Sequence, residues 1–447
     1  MTTTIRKLAE RHWNGDADLV HEHHPVMPVL GRTAEEIAPG ILTLISVASV
    51  NAIDTGDGLA MLDTGGAFDS DHVYDSVRAW RPAAPLRAAV YSHHHVDHVF
   101  GTRRFEAEAD ERGWPQPVVY SHEDLPANFQ RYERTLGWNT AINQRQFALP
   151  LDGFRWPKTY RYPDVTYADH HTFTQGELTF ELRHARGETD DATWTWVPEL
   201  KVLHPGDLFI WAVPNAGNPQ KVQRFASDWA GALRDMAACG AEIMLCGHGL
   251  PIFGADRVRQ ALTDTADVLD AVETQTLELM NRGVPLERVL HTVEIPAHLR
   301  ELPYLQPVYD HPQFLVRNVW RRYGGWYDGE PDQLLPAPRA EQAREWVTLA
   351  GGLEAVLARA RDLAAAGNHR MACHLVEFAV LFEPASTEAH EVRAEVYDAR
   401  SAGQVSSMAR NILGHAARAS RSGHRDLAGD DDTTWAADAP REPVDGA

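Results

Sequence analysis

The chain has 447 residues and a formal net charge of −21, with 44% hydrophobic and 23% charged residues. This composition is ordinary for a globular protein and leaves room for two or three domains. The negative charge argues against nucleic-acid binding, because phosphate contacts need clustered lysine and arginine side chains. No apolar run reaches the roughly 18 residues that a membrane-spanning helix needs, so the sequence predicts no membrane span.

The three cysteines, at positions 239, 246 and 373, are too few and too scattered for a disulfide framework. Such usage fits a reducing compartment. The N-terminal residues Met1–Arg11 also lack the apolar core of a signal peptide. We therefore expect a cytoplasmic protein.

The first chemical motif follows three predicted strands, at residues 41–47, 58–62 and 86–91. The second strand ends in an Asp-Thr-Gly-Gly turn, which is a typical strand terminator. Directly after the third strand come four metal-ligating side chains within six residues, namely His93, His95, Asp97 and His98. Imidazole and carboxylate together suit zinc, with manganese or iron as alternatives. A run of this kind can supply ligands to two adjacent metal ions.

Three later strands each deliver an acid or a histidine to the turn that follows. These strands are predicted at residues 178–184, 201–204 and 241–246, and the residues that they deliver are Glu188, Asp207 and His248. Asp190 and Asp191 lie in the same turn as Glu188. Ligand alternatives within one turn cannot be ranked by spacing alone, so the residues by themselves leave Glu188, Asp190 and Asp191 open.

The segment Pro214–Arg224 follows Asp207 closely and is rich in proline, glycine and asparagine. That content predicts a loop with exposed backbone donors. An anionic substrate would need such donors or positive charge opposite the metals, and the candidates are Asn215, Lys221 and Arg224. The alternative is a solvated loop with two ordinary basic residues.

The remainder of the chain is predicted to be helical. An amphipathic helix is expected at 256–280, and later helices at 353–361, 374–382 and 387–399 read as helical hairpins. The end of the chain is acidic and polar, which predicts disorder. The predicted organisation is an N-terminal extension at 1–34, a catalytic domain at 35–282, a helical domain at 283–420 and a disordered acidic tail at 421–447.

The order of these motifs resembles the metallo-β-lactamase superfamily. A carboxylate at Glu188, where most members have histidine, and the segment Val316–Pro331 are similar to the alkylsulfatase branch. The resemblance implies an α/β fold, the αββα metallo-β-lactamase sandwich with a metal centre at one rim. It also implies a following all-α helical-hairpin domain of the alkylsulfatase dimerisation type, and therefore a homodimer through that domain.

The resemblance further implies two Zn²⁺ per chain and a set of ligands. His93, His95 and Glu188 would hold one ion, Asp97, His98 and His248 the other, and Asp207 would bridge them. Asp97 and Asp207 would also have catalytic roles. The implied reaction is hydrolysis of a small, anionic substrate, an alkyl sulfate ester, by a metal-bound hydroxide.

Two features depart from the branch. Gln220 stands where alkylsulfatases have an arginine that grips sulfate, and the C-terminal sterol-carrier-like domain of long alkylsulfatases is expected to be missing. Two alternatives therefore stay open. One is hydrolysis of a lactam, lactone, thioester or phosphoester at the same centre, and the other is a non-catalytic scaffold built on the helical module.

Overall fold

A computed structural model describes residues 4–18, 20–21, 23–26, 33–152 and 154–428. The strands in these residues are β1 (Thr33–Ala38), β2 (Ile41–Ile45), β3 (Val50–Asp54), β4 (Leu59–Leu62), β5 (Leu86–Val90), β6 (Val118–His122), β7 (Val165–Tyr167), β8 (His170–Gln175), β9 (Leu178–Ala185), β10 (Ala192–Val197), β11 (Val202–Ile210), β12 (Ile243–His248) and β13 (Ile252–Phe253).

The α-helices are α1 (Thr4–Trp13), α2 (Ser70–Trp80), α3 (Thr102–Arg112), α4 (Leu125–Arg134), α5 (Leu136–Gln146), α6 (Ala226–Ala238), α7 (Ala255–Asn281), α8 (Leu286–Leu290), α9 (Ala297–Arg300), α10 (Pro312–Gly324), α11 (Arg339–Leu349), α12 (Leu353–Ala365), α13 (His369–Phe382), α14 (Thr387–Ala402) and α15 (Ser407–Arg421). None of the helices in the described part of the chain combines the length and hydropathy of a membrane-spanning segment.

The strands form two sheets. The first runs from β1 to β7 in chain order, with antiparallel pairs up to β4 and parallel pairs beyond it. The second has the order β13-β12-β11-β10-β9-β8, in which only β11 and β12 are parallel. Because parallel strands are covered on both faces, β11 is buried along its whole length.

The two sheets share one apolar core. Side chains of the first sheet, such as Leu62 and Val90, lie in the same cluster as Phe180 and Leu182 of the second. Apolar residues of α6 and α7 join this cluster from the far side of the second sheet, while α2 and α3 cover the opposite face of the first. The predicted αββα sandwich is confirmed.

The described residues divide into two compact units. The first comprises the described residues up to 134 and from 157 to 328, and it contains both sheets; the second comprises residues 135–156 and those from 329 onward. The boundaries predicted from the sequence instead assign residues 135–156 to the catalytic domain and residues 283–328 to the helical domain. The second segment packs in the first unit because Leu286, Leu315 and Val316 are buried in the core of the sandwich.

The second unit consists of helical hairpins. α12, α13 and α14 bury Leu357, Val376 and Val392 in a common cluster. α13 begins at His369 rather than at the predicted 374, because the side chain of Asn368 caps it by accepting from the amide of Met371. The predicted disordered tail begins at 421, but residues 421–428 are described, and Arg425 and Asp426 form hydrogen bonds with Glu377 and Arg145. The part of the tail from 429 onward lies outside the described residues.

Candidate metal centre

The sequence-predicted ligands meet at one rim of the sandwich. His93, His95, Asp97 and His98 follow the carboxyl end of β5, and Glu188 lies in the turn between β9 and β10. Asp207 lies in β11 and His248 ends β12; these two strands are parallel neighbours. Gly206 has a φ of 54°, and a Cβ there would come within 2.7 Å of the Ser92 Cβ. Glycine therefore lets β11 approach the loop after β5 closely enough to join the two groups of ligands.

Asp97, His98 and His248 form the first group of ligand atoms, all within 4.8 Å of one another. Oδ2 of Asp97 lies 3.4 Å from Nε2 of His248 and 3.7 Å from Nε2 of His98. Asp207 reaches the same two imidazoles, with Oδ1 at 3.4 Å from His98 Nε2 and Oδ2 at 3.2 Å from His248 Nε2.

His95, Glu188 and Asp207 form the second group within the same limit. Nδ1 of His95 lies 3.7 Å from Oε1 of Glu188, and Nε2 of His93 lies 3.7 Å from Oδ2 of Asp207. Asp207 thus contributes to both groups and occupies the position between them. The seven residues selected from the sequence are brought together at one place.

Hydrogen bonds to the other ring nitrogens orient three of these imidazoles. Nδ1 of His98 donates to Oδ2 of the buried Asp63 at 2.7 Å, and Nδ1 of His248 donates to the carbonyl oxygen of Val47 at 2.5 Å. Ser92 Oγ donates to the same Asp63 oxygen, so it accepts from Nδ1 of His93 at 2.9 Å. With a hydrogen held on each Nδ1, the three Nε2 atoms face the carboxylates, which is how partners of metal-ligating histidines usually orient the ring.

Sequence reasoning missed the role of Asp63. This residue lies in the Asp-Thr-Gly-Gly turn after β4, with a φ of 58°, a conformation that a non-glycine residue adopts at a cost. Its carboxylate also accepts from the amide of Ser92 at 2.7 Å. The Asp-Thr-Gly motif was visible in the sequence, but no local pattern linked it to His98.

The donor atoms fit bound divalent cations. Nε2 of His93, Nε2 of His98 and Oδ1 of Asp207 are buried and have no hydrogen-bond partner of good geometry among the described residues. Buried polar atoms without partners are costly and are rare in folded proteins. A set of imidazole nitrogens and carboxylate oxygens is the kind that binds zinc and related metals, and such cations would satisfy these atoms together.

The electrostatics of the histidines divide them into two kinds. Burial and the neighbouring His98 lower the pKa of His93 to about 4, and burial followed by His93 lowers the pKa of His95 well below its usual range. Although burial opposes it, Asp207 raises the pKa of both His98 and His248. His93 and His95 are therefore neutral near pH 7, whereas Asp207 favours the protonated forms of His98 and His248, with which a bound metal would compete.

Glu188 is the acid of its turn that lies with the other ligands. Asp191 instead accepts from Nδ1 of His94 at 2.9 Å, and Asp190 accepts from Asn128 at 2.8 Å. Nε2 of His94 faces Nη2 of Arg131 at 3.0 Å. The neighbouring acids thus belong to a hydrogen-bonded network that ties α4 to the metal-ligand loop, which no sequence pattern indicated.

Two candidate substrate-binding residues contact Glu188 directly. Nδ2 of Asn215 donates to Glu188 Oε1 at 2.5 Å, and Nη2 of Arg224 lies 3.4 Å from the same oxygen. Burial, followed by Asp207, raises the pKa of Glu188, and Arg224 opposes this shift. Lys221 is half-buried, and burial followed by Arg224 lowers its pKa to about 7.

Comparisons with known proteins identify families and relatives that are similar to this chain. The family model of the metallo-beta-lactamase superfamily matches residues 46–248, and the model for alkyl sulfatase dimerisation matches residues 286–423. A linear primary-alkylsulfatase from Pseudomonas sp. is 26% identical over 363 residues, which is 77% of this chain and 69% of that protein. An (R)-specific secondary-alkylsulfatase, also from Pseudomonas sp., is 27% identical over 383 residues, or 78% of this chain and 56% of that protein.

Among solved structures, the stereoselective inverting sec-alkylsulfatase Pisa1 from Pseudomonas sp. superposes with a TM-score of 0.80 at 25% identity. The match covers 88% of this chain and 66% of that one. The chain therefore spans between about half and two thirds of the length of these relatives. The predicted resemblance and the predicted order of a sandwich followed by a helical region are confirmed.

Proposed function

Because the metallo-beta-lactamase superfamily model matches residues 46–248 and the alkyl sulfatase dimerisation model matches residues 286–423, we propose that this chain is a metal-dependent hydrolase of alkyl sulfate esters. The observation that carries the proposal is the convergence of seven imidazole and carboxylate side chains, several with buried polar atoms that have no hydrogen-bond partner in the part of the chain that the structure describes. Such a cluster costs stability unless a cation fills it, so its presence favours a metallohydrolase over a scaffold.

We assign the ligands of two zinc ions on the same grounds. His93, His95 and Glu188 would hold one ion, and Asp97, His98 and His248 the other, with Asp207 shared. When bound, a metal pair of this kind supplies Lewis acidity and makes water nucleophilic near neutral pH. Asp97 and Asp207 would also orient the reacting groups.

The anionic end of the substrate would meet the loop between β11 and α6. Asn215 and Arg224 converge on Glu188 from this loop, and Lys221 belongs to the same loop. The pKa of Lys221 is lowered to about 7, and an anion bound beside this amine would favour its protonated form. We propose that Lys221 binds the sulfate group. Arg224 and Asn215 would hold the loop in place through their contacts with Glu188.

The test is a substrate screen with zinc-loaded protein. Alkyl sulfates of increasing chain length, lactones, β-lactams, thioesters and phosphodiesters are each incubated with the wild type, with His95→Ala and with His170→Ala. His170 is an exposed histidine of β8 that serves as the matched control. We expect inorganic sulfate to be released by the wild type and by His170→Ala but not by His95→Ala.

Metal analysis of the same samples separates the site from the reaction. We expect about two zinc ions per wild-type chain and fewer in His95→Ala. Turnover of acyl or phosphate esters without sulfate release would contradict the proposed substrate while leaving the metal centre in place. Protein that binds no metal and turns over nothing would point to the scaffold alternative.

One observation favours hydrolysis of a different ester or amide. Gln220 stands where the resemblance to alkylsulfatases leads us to expect an arginine, so the loop offers one cation fewer to a sulfate group. A lactam, lactone or thioester carries less negative charge than a sulfate ester and would not require that cation. The variant Gln220→Arg distinguishes these readings: we expect a lower KM for alkyl sulfates if sulfate is the substrate, and no change otherwise.

We also propose that the second unit mediates homodimerisation. The dimerisation family model covers most of this unit, and α11 exposes Trp346 and Leu349, whose relative exposures are 58% and 76%. Light scattering should report a dimer that Trp346→Glu converts to a monomer, because burial of a new carboxylate in an apolar interface is unfavourable. The same substitution at the exposed Val405 is the control.

We place the protein in the cytoplasm as a further proposal. It rests on Cys239, Cys246 and Cys373, which are all free thiols and do not form the disulfides that are common in oxidising compartments. Cell fractionation followed by immunoblotting would test it. Recovery of the protein with the extracellular or periplasmic fraction would be incompatible with this location.

A further inference from the structure

The loop that carries Asn215 and Arg224 is hydrogen-bonded to α10 and to the turn before this helix. Asp310 lies in that turn and is fully buried. Its Oδ2 accepts from the amide of Gly217 at 2.7 Å and from the amide of Asn218 at 3.3 Å, while Oδ1 accepts from the amide of His311 at 2.7 Å. The carboxylate therefore fixes the middle of the loop through its backbone and not through its side chains.

Asn318, on α10, fixes the far end of the loop in the same manner. Its Oδ1 accepts from the amide of Arg224 at 3.1 Å, and its Nδ2 donates to the carbonyl oxygen of Arg224 at 3.1 Å. The side-chain amide thus pairs with both backbone groups of one residue, as a neighbouring strand would. Gln223 reinforces this end by donating to Oδ1 of Asn318 at 3.1 Å and accepting from Arg321 at 3.0 Å.

At the first of these points the loop lies directly against the helix. A Cβ at Gly217 would collide with the backbone of Phe314 and Leu315. Backbone atoms at the first turn of a helix cannot move aside cheaply, so glycine is needed for this close approach. The loop is therefore held at two places, Gly217–Asn218 and Arg224, by residues that lie about 90 positions later in the chain.

The held loop presents two side chains to one metal ligand. Asn215 and Arg224 are almost fully buried, and both contact Oε1 of Glu188. Neither Asp310 nor Asn318 contacts Glu188 itself in any hydrogen bond of the described structure. We propose that Asp310 and Asn318 are positioning residues of the metal centre, which fix Glu188 by fixing the loop that carries Asn215 and Arg224.

This inference rests on the proposed function only in treating Glu188 as a ligand of zinc. Outer partners of metal ligands typically contribute 10- to 100-fold to metal affinity. Asp310 and Asn318 act one step further out, so we expect the lower end of that range, roughly tenfold weaker zinc binding for Asn318→Ala. The segment that family comparison places at the start of the dimerisation domain would then serve the catalytic centre.

Hydrogen exchange followed by mass spectrometry measures the loop directly. In Asn318→Ala, peptides covering residues 214–225 should exchange faster than in the wild type, while peptides from α7 keep their wild-type rates. Arg317→Ala is the matched control, because Arg317 is the exposed neighbour of Asn318 on the same helix. Unchanged exchange in the loop of Asn318→Ala would overturn the inference.

Gly217→Ala gives a second, independent perturbation that removes no hydrogen-bonding group. It should displace the loop from α10 and raise its exchange in the same way. If Asn318→Ala does not fold, Gly217→Ala and the milder Asp310→Asn carry the test, because Asp310→Asn retains one acceptor of the pair. Rescue by Asn318→Asp should be partial, since aspartate keeps the acceptor for the Arg224 amide and loses the donor.

Zinc affinity, measured by competition with a chelator and zinc alone as the probe, completes the experiment. Faster loop exchange together with roughly tenfold weaker zinc binding supports the inference. Faster loop exchange with unaltered zinc binding overturns it. Failure of the proposed function would instead appear as wild-type protein that binds zinc but releases no sulfate from any ester, which leaves the affinity and exchange measurements valid.

Discussion

Buried charged side chains occur in both compact units, and their hydrogen bonding differs between them. In the helical unit, the Glu377 carboxylate accepts from Arg393 at 2.8 Å, from Tyr397 at 2.9 Å and from Arg425 at 2.9 Å. In the sandwich unit, His98 Nε2 and Asp207 Oδ1 are buried with no well-formed partner among the described residues. The Glu377 cluster has its charges paired within the chain, and we call it the closed cluster. The cluster of His98 and Asp207 keeps polar atoms without partners among the described residues, and we call it the open cluster.

The difference separates a structural use of buried charge from a functional one. A buried ion pair whose remaining donors and acceptors are satisfied stabilises a particular packing. An open cluster is unfavourable in isolation, and it persists because a bound ligand offsets the cost. Substitutions in the open cluster are therefore expected to lower activity and metal content. Substitutions in the closed cluster are expected to lower the free energy of unfolding.

Asp207→Asn should produce the largest change. It removes the carboxylate shared by both groups of ligand atoms, and we expect turnover to fall by roughly 1,000-fold, because a metal centre supplies several kcal/mol of transition-state stabilisation. The free energy of unfolding of the metal-free protein should change much less than the turnover, because the imidazoles of His98 and His248, whose pKa Asp207 raises, favour their neutral forms once that carboxylate is lost and leave no unpaired buried charge. Steady-state kinetics, metal analysis and chemical denaturation measure the three quantities. A metal-free variant that is strongly destabilised would break the comparison.

Glu377→Ala tests the opposite signature. Removal of this carboxylate leaves Arg393, which is almost fully buried, without its charge partner. Breaking a buried pair in this way typically costs about 3–5 kcal/mol, and we expect a loss of that size in the unfolding of the second unit. Zinc content and turnover per folded molecule should be unchanged.

The control for this substitution is Glu391→Ala, which removes an exposed glutamate on α14. It should change the free energy of unfolding by less than about 0.5 kcal/mol. Loss of zinc from Glu377→Ala at temperatures where it remains folded would show that the two clusters are not independent.

The sequence located the open cluster better than the closed one, for a physical reason. Four of its members lie within six residues directly after a strand, namely His93, His95, Asp97 and His98, so their spacing alone indicates a metal site. Glu377, Arg393 and Arg425 are far apart in the chain, and nothing in their local pattern distinguishes them from exposed charges. The same limit explains why Asp63, Asp310 and Asn318 were not found: each acts through contacts with residues distant in sequence.

Asp63→Asn should have an intermediate effect. An amide keeps the shape of the side chain but has one acceptor oxygen, so it cannot accept from Ser92 and His98 together as the carboxylate does. We expect zinc affinity to fall by 10- to 100-fold, the usual consequence of losing a partner of a metal ligand. Asp57→Asn, at an exposed position in the turn before β4, is the matched control and should bind zinc as the wild type does. Equal affinities for both variants would mean that His98 needs no such support.

Asp426→Asn should have the smallest effect. It tests whether the closed cluster extends from Arg425 to the ion pairs of Asp426. Oδ2 of Asp426 lies 2.7 Å from Arg145 and Oδ1 lies 2.8 Å from His415. Although burial opposes it, hydrogen bonds from His415 and Arg145 lower the pKa of Asp426. A carboxylate with a lowered pKa in the folded state contributes stability above its unfolded pKa of about 3.9 and loses it as the pH falls further.

The wild type should therefore lose about 1 kcal/mol more stability than Asp426→Asn when the pH is lowered from neutral to below about 4, a value typical of a partly exposed ion pair. Thermal unfolding of the two proteins across this pH range measures the difference. Because Asp426 joins α5 and α15 within the second unit, activity and zinc content should not respond. Parallel pH profiles for the two proteins would mean that the ion pairs add nothing, and that the closed cluster extends no further than Arg425.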